Sequence, residues 1–309
     1  MKALVVGAGS VGGYFGGRLA AAGRDVTFLV RPRRATQLAG GLTIISKGQG
    51  TIIPVKVITR GEAAGEFDVV FLAVKAYQLD AAIEDFGAYV SERSMILPVL
   101  NGMKHVDILR SRFGAPHVIG GVAKIASSLD EQGRILDQAN FHELVYGEWS
   151  GERSGRILAA DQLMIGAGFE ARLSTDIERD MWEKWAMLAG LGAITCLIDG
   201  DIGQVEKAPG GMDLVKSLFG EVVAAIGAAW RPLSDPFKAQ VLSLLTDRGS
   251  SLTSSMYRDL KAGYRVEADQ IIGDLVMRGA EKGIATPLLS AVLTRLKVYE
   301  QRRVGKSEQ

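Results

Sequence analysis

The first 125 residues alternate between short apolar runs and segments with helical periodicity. Two segments have the helical pattern, residues 13–22 and 78–90. Five apolar runs have the length of buried strands: residues 2–6, 25–30, 67–74, 94–100 and 118–125. Apolar strands that alternate with helices are typical of a parallel sheet with helices on both faces. The pattern therefore predicts a doubly wound α/β domain.

Two parts of this half depart from the alternation. Residues 42–46 and 51–57 are short extended segments joined by a polar turn, which predicts two neighbouring strands. Ile135 and residues 141–146 indicate a more irregular, antiparallel edge.

After about residue 150 the pattern becomes almost entirely helical. Strand-like alternation occurs only at residues 169–174. Helical periodicity covers residues 154–168, 176–198, 209–229, 235–246, 252–262, 266–283 and 287–301. The sequence thus predicts two domains, an α/β domain over 1–172 and an all-α domain over 173–309.

The turn after the first apolar run has the pattern of a dinucleotide site. In the sequence Gly7-Ala8-Gly9-Ser10-Val11-Gly12, the glycines permit a tight turn, backbone approach to a pyrophosphate and close helix packing. The helix that follows would direct its N-terminal dipole at the phosphates. These six residues are the candidate pyrophosphate site of a Rossmann domain, and the alternative is a tight βα turn in another α/β protein.

The end of the second apolar run suggests which dinucleotide is bound. A NAD-binding fold usually has an acid about 20 residues beyond the glycine turn. Here Arg31 stands at that place, and a guanidinium can bind a 2′-phosphate that a carboxylate would repel. The sequence favours NADP over NAD, and the alternative is a solvated loop arginine.

Other polar residues lie at positions where ligand binding or proton transfer is expected. Lys75 and Asn101 follow two of the predicted strands, at the sheet edge where such folds bind ligands. Lys184 lies among apolar and aromatic neighbours, and partial burial would suit a proton donor. Alternative structural roles are a surface position for Lys184, helix capping for the hydroxyls around Ser255, and a helix-dipole contact for Glu267.

Composition and charge narrow the classes of protein. The chain has 309 residues and a net charge of +1, which argues against nucleic acid as a partner. Its one cysteine, Cys196, lies in an apolar segment, so we expect a buried, inert thiol and a cytoplasmic protein. We predict no membrane span, since no run of 18 apolar residues occurs, and no metal, since the three histidines are far apart in sequence.

The order and spacing of these motifs resemble those of the ketopantoate reductase family (2-dehydropantoate 2-reductases). The motifs span nearly the whole chain: Gly7-x-Gly9-x-x-Gly12, Arg31, Val74-Lys75-Ala76-Tyr77-Gln78, Asn101-Gly102, Trp182-x-Lys184, Ser254-Ser255-Met256-x-x-Asp259 and Gly263-x-x-x-Glu267. The resemblance implies an NADP-binding Rossmann domain and a helical domain of the 6-phosphogluconate dehydrogenase type. It also implies NADPH-dependent reduction of ketopantoate to pantoate for pantothenate biosynthesis.

The resemblance also implies roles for individual residues. Lys184 would be the proton donor, Asn101 would contact cofactor and substrate, and Ser255 would bind the substrate. Glu267 would act on the cofactor or substrate and on Lys184. Lys75 and Ala126 would lie on the cofactor side. A small 2-keto acid is the expected partner, and the apolar helical half is compatible with a homodimer.

One departure from the family pattern bears on which substrate the protein accepts. Family members commonly carry asparagines four and eight residues after the catalytic lysine, where this chain has Leu188 and Gly192. A substrate hydroxyl without a partner there would cost about 1–3 kcal/mol. Two alternatives therefore stay open: an NADP-dependent reductase of a more apolar 2-keto or hydroxy acid, and a non-catalytic NADP-binding sensor.

Overall fold

The computed structural model describes residues 1–138 and 141–307 and contains twelve strands and twelve α-helices in this part of the chain. The strands are β1 (Lys2–Val6), β2 (Asp25–Leu29), β3 (Leu42–Ser46), β4 (Gln49–Ile53), β5 (Lys56–Ile58), β6 (Phe67–Leu72), β7 (Val90–Pro98), β8 (Gly120–Lys124), β9 (Ser127–Leu129), β10 (Ile135–Asp137), β11 (Glu143–Gly147) and β12 (Glu170–Leu173). The helices are α1 (Ser10–Ala21), α2 (Pro32–Leu38), α3 (Leu79–Phe86), α4 (Lys104–Phe113), α5 (Gly155–Met164), α6 (Ile177–Ile198), α7 (Ile202–Lys207), α8 (Gly211–Ala229), α9 (Asp235–Leu245), α10 (Ser255–Lys261), α11 (Asp274–Glu281) and α12 (Pro287–Ser307).

The main sheet is parallel and has the order β5-β2-β1-β6-β7. Its central strand β1 is flanked by β2 on one side and β6 on the other, so the order of winding reverses at β1. Leu4, Val5 and Phe71 of the central strands are fully buried, which explains why these strands read as unbroken apolar runs. The predicted doubly wound α/β domain is confirmed.

Two smaller sheets accompany the main one. One has the order β4-β3-β10-β9 and the other has the order β12-β11-β8. The predicted irregular edge is divided between them: Ile135 begins β10, whereas β11 pairs antiparallel with β8 in the other sheet. The extended segment at 51–57 is divided, because Pro54 ends β4 and β5 then joins the main sheet beside β2. Proline has no N–H to donate to a strand neighbour, which accounts for the break.

The second half is helical, as predicted. Helix α8 packs against α11 and α12 around the buried side chains of Phe219, Leu275 and Leu296. A π-helical turn, Asp269–Gly273, precedes α11. No helix among the described residues combines the length and the apolar character that a membrane crossing requires.

The chain forms two compact units that do not follow the sequence strictly. The first contains residues 1–100 and 105–181, and the second contains residues 101–104 and the chain from Trp182 onward. The sequence division at 172/173 lies ahead of α6, whereas the boundary between the units lies inside that helix. The reason is that the start of α6 packs on the first unit: Ile177 lies directly against Gly120, and Asp180 forms an ion pair of 2.7 Å with Arg172.

Candidate functional site

A cavity of about 210 Å³ lies at the carboxyl ends of β1 and β2 in the first unit. Its lining includes Gly7, Ala8, Gly9, Val30, Arg31, Arg34, Val74, Gln78 and Leu129. A larger cavity, of about 630 Å³, lies at the amino ends of the strands and includes Lys2, Asp68 and Arg93. Open α/β sheets bind ligands beyond the carboxyl ends at the point where the winding reverses, so the smaller cavity is the candidate nucleotide site.

The glycine turn has the shape that a pyrophosphate needs. Gly7 has a φ of +92°, and a Cβ there would lie 3.0 Å from Val74 Cγ1. A Cβ at Gly12 would collide with the carbonyl oxygen of Gly7. Around Gly9, in contrast, no atom lies within 4 Å of the place that a Cβ would take. Two glycines are thus required by close packing, and the third leaves space for a ligand.

The N-terminus of α1 is open to an anion. Its N-cap residue is Gly9, which has no side chain to cap the helix, and no acidic residue lies in the first turn. The N–H groups of Ser10, Val11 and Gly12 therefore have no side-chain cap, and together with the helix dipole they favour a negatively charged group. The cradle fits the phosphates of a dinucleotide.

Two arginines line this cavity in different ways. Arg31 is exposed and is the N-cap residue of α2. Arg34 is half-buried; its Nε donates to the carbonyl oxygen of Ala8 at 2.9 Å and its Nη1 to that of Gly133 at 2.7 Å. Burial lowers the pKa of the Arg34 guanidinium. The sequence favoured Arg31 for the 2′-phosphate, and the spacing of Arg34, one helical turn later, was the signal that could have pointed to it as well.

Lys75 and Ala126 lie in the same unit. Lys75 is half-buried beyond the end of β6, where its carbonyl oxygen accepts a hydrogen bond of 2.8 Å from the Gln78 N–H. Ala126 follows β8, and its carbonyl oxygen accepts from the Gln138 N–H at 2.9 Å. Gln78 also lines the cavity, which places the strand end that carries Lys75 beside the glycine turn.

Asn101 belongs to the second unit, although it follows a strand of the first. Its carbonyl oxygen accepts a hydrogen bond of 3.0 Å from Gln270 Nε2, in the π-helical turn. Gly102 has a φ of +80°, and a Cβ there would lie 2.6 Å from the Gln270 carbonyl oxygen. The close approach requires glycine. Gln270 belongs to none of the sequence motifs, so the sequence did not predict its role.

The same π-helical turn connects Glu267 with the helix that carries Lys184. Glu267 is only 7% exposed, and its carbonyl oxygen accepts from the N–H of Ile271 at 3.0 Å. Trp185 Nε1 donates to the carbonyl oxygen of Ile271 at 2.9 Å. Lys184 is half-buried and precedes Trp185 in α6. Backbone or side-chain hydrogen bonds thus join the π-helical turn to Asn101, to Glu267 and to Trp185, the residue that follows Lys184 in α6.

The α6 face that begins at Lys184 continues with apolar groups. Leu188 and Gly192 lie four and eight residues further on, hence on the same side of the helix. A Cβ at Gly192 would lie 2.9 Å from Met256 Cε, so the thioether occupies the space that a side chain at 192 would enter. Residues 188 and 192 themselves carry no polar side chain.

The hydroxyl cluster at the start of α10 divides into two roles. Ser254 is the N-cap residue: its Oγ accepts from the Tyr257 N–H at 3.0 Å and lies 2.9 Å from Thr195 Oγ1. Capping therefore accounts for Ser254. Ser255, the next residue, is half-buried, and within the described chain its hydroxyl has no hydrogen bond.

Cys196 is fully buried in α6, and burial raises the pKa of its thiol to about 12. The thiol is protonated at neutral pH, in agreement with the inert role expected from the sequence. Among the described residues, no group of three or more His, Cys, Asp or Glu side chains could hold a metal ion.

Sequence and structure comparisons identify the family. The profile described as ketopantoate reductase PanE/ApbA matches residues 3–151, and the profile of its C-terminal part matches residues 176–300. The chain belongs to the ketopantoate reductase family. The resemblance seen in the motifs is thereby confirmed, and the chain is an oxidoreductase of a family that binds a nicotinamide cofactor.

Individual matches cover nearly the whole chain. An uncharacterized oxidoreductase of Bacillus subtilis, YkpB, is 37% identical over 98% of this chain and 100% of its own length. The crystal structure of 2-dehydropantoate 2-reductase from Geobacter metallireducens superposes with a TM-score of 0.86, at 27% identity over 96% of this chain and 99% of that one. D-mandelate dehydrogenase with NADH and anilino(oxo)acetate has the same fold, with a TM-score of 0.86, 19% identity and coverage of 98% and 99%.

Proposed function

We propose that the protein is an NADPH-dependent reductase of a 2-keto acid and that Lys184 is its proton donor. One observation carries the proposal: Asn101, Lys184 and Glu267 lie in one compact unit, although they are far apart in sequence. The uncapped glycine turn in the other unit fits the phosphates of the cofactor. The family's activity is the further support.

The residues of this chain would stabilise charge and move a proton. When bound, the nicotinamide supplies a hydride to the C2 ketone of the substrate. Negative charge then grows on the carbonyl oxygen, and the Lys184 ammonium stabilises that charge and donates a proton to it. The Glu267 carboxylate would help to orient the Lys184 ammonium.

The remaining candidate residues would bind and orient. Asn101 would hold the cofactor ribose and the substrate, and Ser255 would donate its unused hydroxyl to the substrate. Lys75 and Ala126 would contact the cofactor beside the glycine turn. Arg31 would bind the 2′-phosphate, which makes NADPH the preferred cofactor.

Ketopantoate is the first candidate substrate, because relatives such as the 28% identical protein of Mesorhizobium japonicum carry the name 2-dehydropantoate 2-reductase. The test is NADPH oxidation with ketopantoate. We expect Lys184→Ala to lower kcat by about 100-fold or more while NADP⁺ affinity is preserved. Lys216→Ala, at an exposed lysine on α8, is the matched control. Full activity in Lys184→Ala would refute the assigned proton donor, and a wild type without turnover on any 2-keto acid would leave a non-catalytic NADP sensor.

A second candidate is a more apolar 2-keto acid. Leu188 and the contact between Gly192 and Met256 Cε present methyl and thioether groups along the face of Lys184. A substrate hydroxyl against these groups would lose a hydrogen bond, whereas an alkyl or aryl group would gain apolar contact. Comparing kcat/KM for ketopantoate, unbranched 2-keto acids and aryl 2-keto acids distinguishes the candidates; a strong preference for ketopantoate would exclude the second.

A further inference from the structure

The Arg34 side chain joins three segments around the nucleotide cavity. Its Nε donates to the Ala8 carbonyl oxygen in the glycine turn at 2.9 Å. Its Nη1 donates to the Gly133 carbonyl oxygen at 2.7 Å, in the turn between β9 and β10, and to Gln37 Oε1 on α2 at 3.1 Å. The guanidinium is thus fixed in place before any ligand arrives.

The charge of Arg34 is not balanced by these contacts. Its three acceptors are neutral oxygens, and within the described residues no carboxylate forms an ion pair with it. Its Nη2 is buried and has no hydrogen-bond partner. Burial lowers the pKa of the group. A half-buried cation with a free donor is unfavourable unless an anion completes the site.

The rest of the cavity does not supply that anion. Asp85 is a carboxylate of the lining, and it lies 3.4 Å from the guanidinium of Arg60 in an ion pair. Arg31, the other arginine of the lining, is exposed and makes no side-chain hydrogen bond to the described residues. The cavity therefore carries two positive groups at the end of β2: Arg34, which is held by hydrogen bonds, and Arg31, which is exposed.

The location of Arg34 indicates which anionic group it would contact. In dinucleotide-binding sheets the end of the second strand faces the adenosine ribose, where a 2′-phosphate is the feature that separates NADP from NAD. The Ala8 carbonyl oxygen holds Arg34 against the glycine turn, and Arg31 lines the same cavity. Leu129 of β9, which is 42% exposed, lines the cavity as well.

We propose that Arg34 is a specificity-determining residue for the cofactor, a fixed counter-charge for the adenosine 2′-phosphate that acts beside Arg31. Because the same guanidinium holds the β9–β10 hairpin through Gly133, binding of a 2′-phosphorylated nucleotide also stabilises that hairpin. The inference rests on the proposed preference for NADPH and concerns binding alone, so it can be tested without a substrate.

The test compares the dissociation constants of 2′,5′-ADP and 5′-ADP by calorimetry on the full chain. In the wild type we expect 2′,5′-ADP to bind more tightly. Arg34→Met should reduce the ratio of the two constants by about tenfold, the size expected for one charge-assisted contact. Arg34→Lys keeps the charge and should retain more of the ratio. Arg33→Met removes a neighbouring exposed charge and should leave the ratio unchanged.

The possible results separate the two proposals. A wild-type ratio in Arg34→Met, or an equal loss of affinity for both nucleotides, would show that Arg34 only supports the fold and would overturn the inference while NADPH preference stands. Absence of any preference in the wild type would overturn both. Since the ratio is measured within one variant, partial unfolding does not mimic the expected result.

Hydrogen exchange gives an independent measurement on the hairpin. The N–H groups of Gly133 and Arg134 bond to Asp130 within the β9–β10 turn. We expect 2′,5′-ADP to slow their exchange more than 5′-ADP does in the wild type. This difference should disappear in Arg34→Met, and its persistence there would contradict the link through Arg34.

Discussion

Trp185 Nε1 donates a hydrogen bond of 2.9 Å to the carbonyl oxygen of Ile271, and both groups are buried. The bond fastens the helix that carries Lys184 to the π-helical turn that holds Gln270. Such turns are frequent at functional sites because they leave backbone groups free to accept other donors. Here the indole takes one of them, so the position of Lys184 depends on a residue that would not itself touch the substrate.

We predict that Trp185→Phe both destabilises the protein and impairs catalysis. The Ile271 carbonyl oxygen would lose its donor, which costs about 1–3 kcal/mol in the free energy of unfolding measured with urea. We also expect kcat for the best 2-keto acid to fall at saturating NADPH. Trp149→Phe is the control, because Trp149 Nε1 makes an equivalent bond of 2.8 Å to the Val118 carbonyl oxygen in the first unit. Equal kcat values in both variants would contradict the positioning role.

The second and third glycines of the nucleotide turn, Gly9 and Gly12, should respond differently to alanine. Gly9→Ala meets no atom within 4 Å, so its urea stability should match the wild type while its affinity for NADP⁺ falls about tenfold or more. Gly12→Ala brings its Cβ against the Gly7 carbonyl oxygen and should lower the free energy of unfolding by about 1–3 kcal/mol. Unchanged NADP⁺ affinity in Gly9→Ala would argue against the pyrophosphate site.

Leu188→Asn tests the apolar face beside Lys184. The new amide offers a partner to a substrate hydroxyl, so KM for ketopantoate should fall by about tenfold and KM for an alkyl 2-keto acid should rise. Leu244→Asn, at an exposed leucine near the end of α9, should change neither value. If Leu188→Asn leaves both KM values unchanged, residue 188 does not face the substrate.

Glu148 makes stability depend on pH in the acid range. Hydrogen bonds from Arg156, with Nε and Nη2 both at 2.7 Å, and from Ser154 hold the pKa of the Glu148 carboxyl below 4.5 despite its burial. A pKa lowered by folding stabilises the native state above the unfolded value, and that contribution is lost as pH falls through the folded value.

Glu148→Gln should therefore reduce the free energy of unfolding by about 1–3 kcal/mol at neutral pH. The difference from the wild type should shrink below pH 4.5. Glu152→Gln, at an exposed carboxyl nearby, should behave as the wild type at every pH. Urea titrations at several pH values provide the measurement, and a difference that persists at low pH would contradict the assignment.

Cys196 should resist alkylation in the native protein. Burial raises the pKa of the Cys196 thiol to about 12, so only about one molecule in ten thousand has the thiolate at about pH 8. The side chain is also buried, which shields the sulfur from reagents. We expect iodoacetamide to react at least about 1000-fold more slowly in buffer than in urea. Rapid modification of the native chain, read by mass spectrometry, would show that α6 opens around Cys196.

The sequence predicted the elements whose signal is local. Apolar runs located β1 and β6, and helical periodicity predicted residues 176–198 where α6 occupies Ile177–Ile198. The helices α2, α4 and α7 were missed, because they are short and only part of each is buried. The break at Pro54 was also missed, since which sheet β5 joins depends on pairing with β2, a distant segment.

The sequence predicted those candidate site residues that form a recognisable motif. It did not predict residues whose role depends on hydrogen bonds to distant parts of the chain. The glycine turn and Lys184 stand out by residue type and neighbours. Arg34 and Gln270 do not, because each acts through hydrogen bonds to backbone oxygens that lie 26 and 169 residues away in sequence. Spacing along a chain carries no information about such partners.

The excursion of residues 101–104 into the second unit has a practical consequence for dissecting the enzyme. A gene fragment that starts ahead of α6 encodes every later helix but lacks Asn101, so Gln270 would lose the carbonyl oxygen to which it donates. A fragment that ends ahead of α6 would contain residues 101–104 but lack the helical residues against which they pack, including Gln270. Because residues 101–104 follow a strand of the first unit but belong to the second, we expect co-expressed fragments to complement each other better than either fragment folds alone.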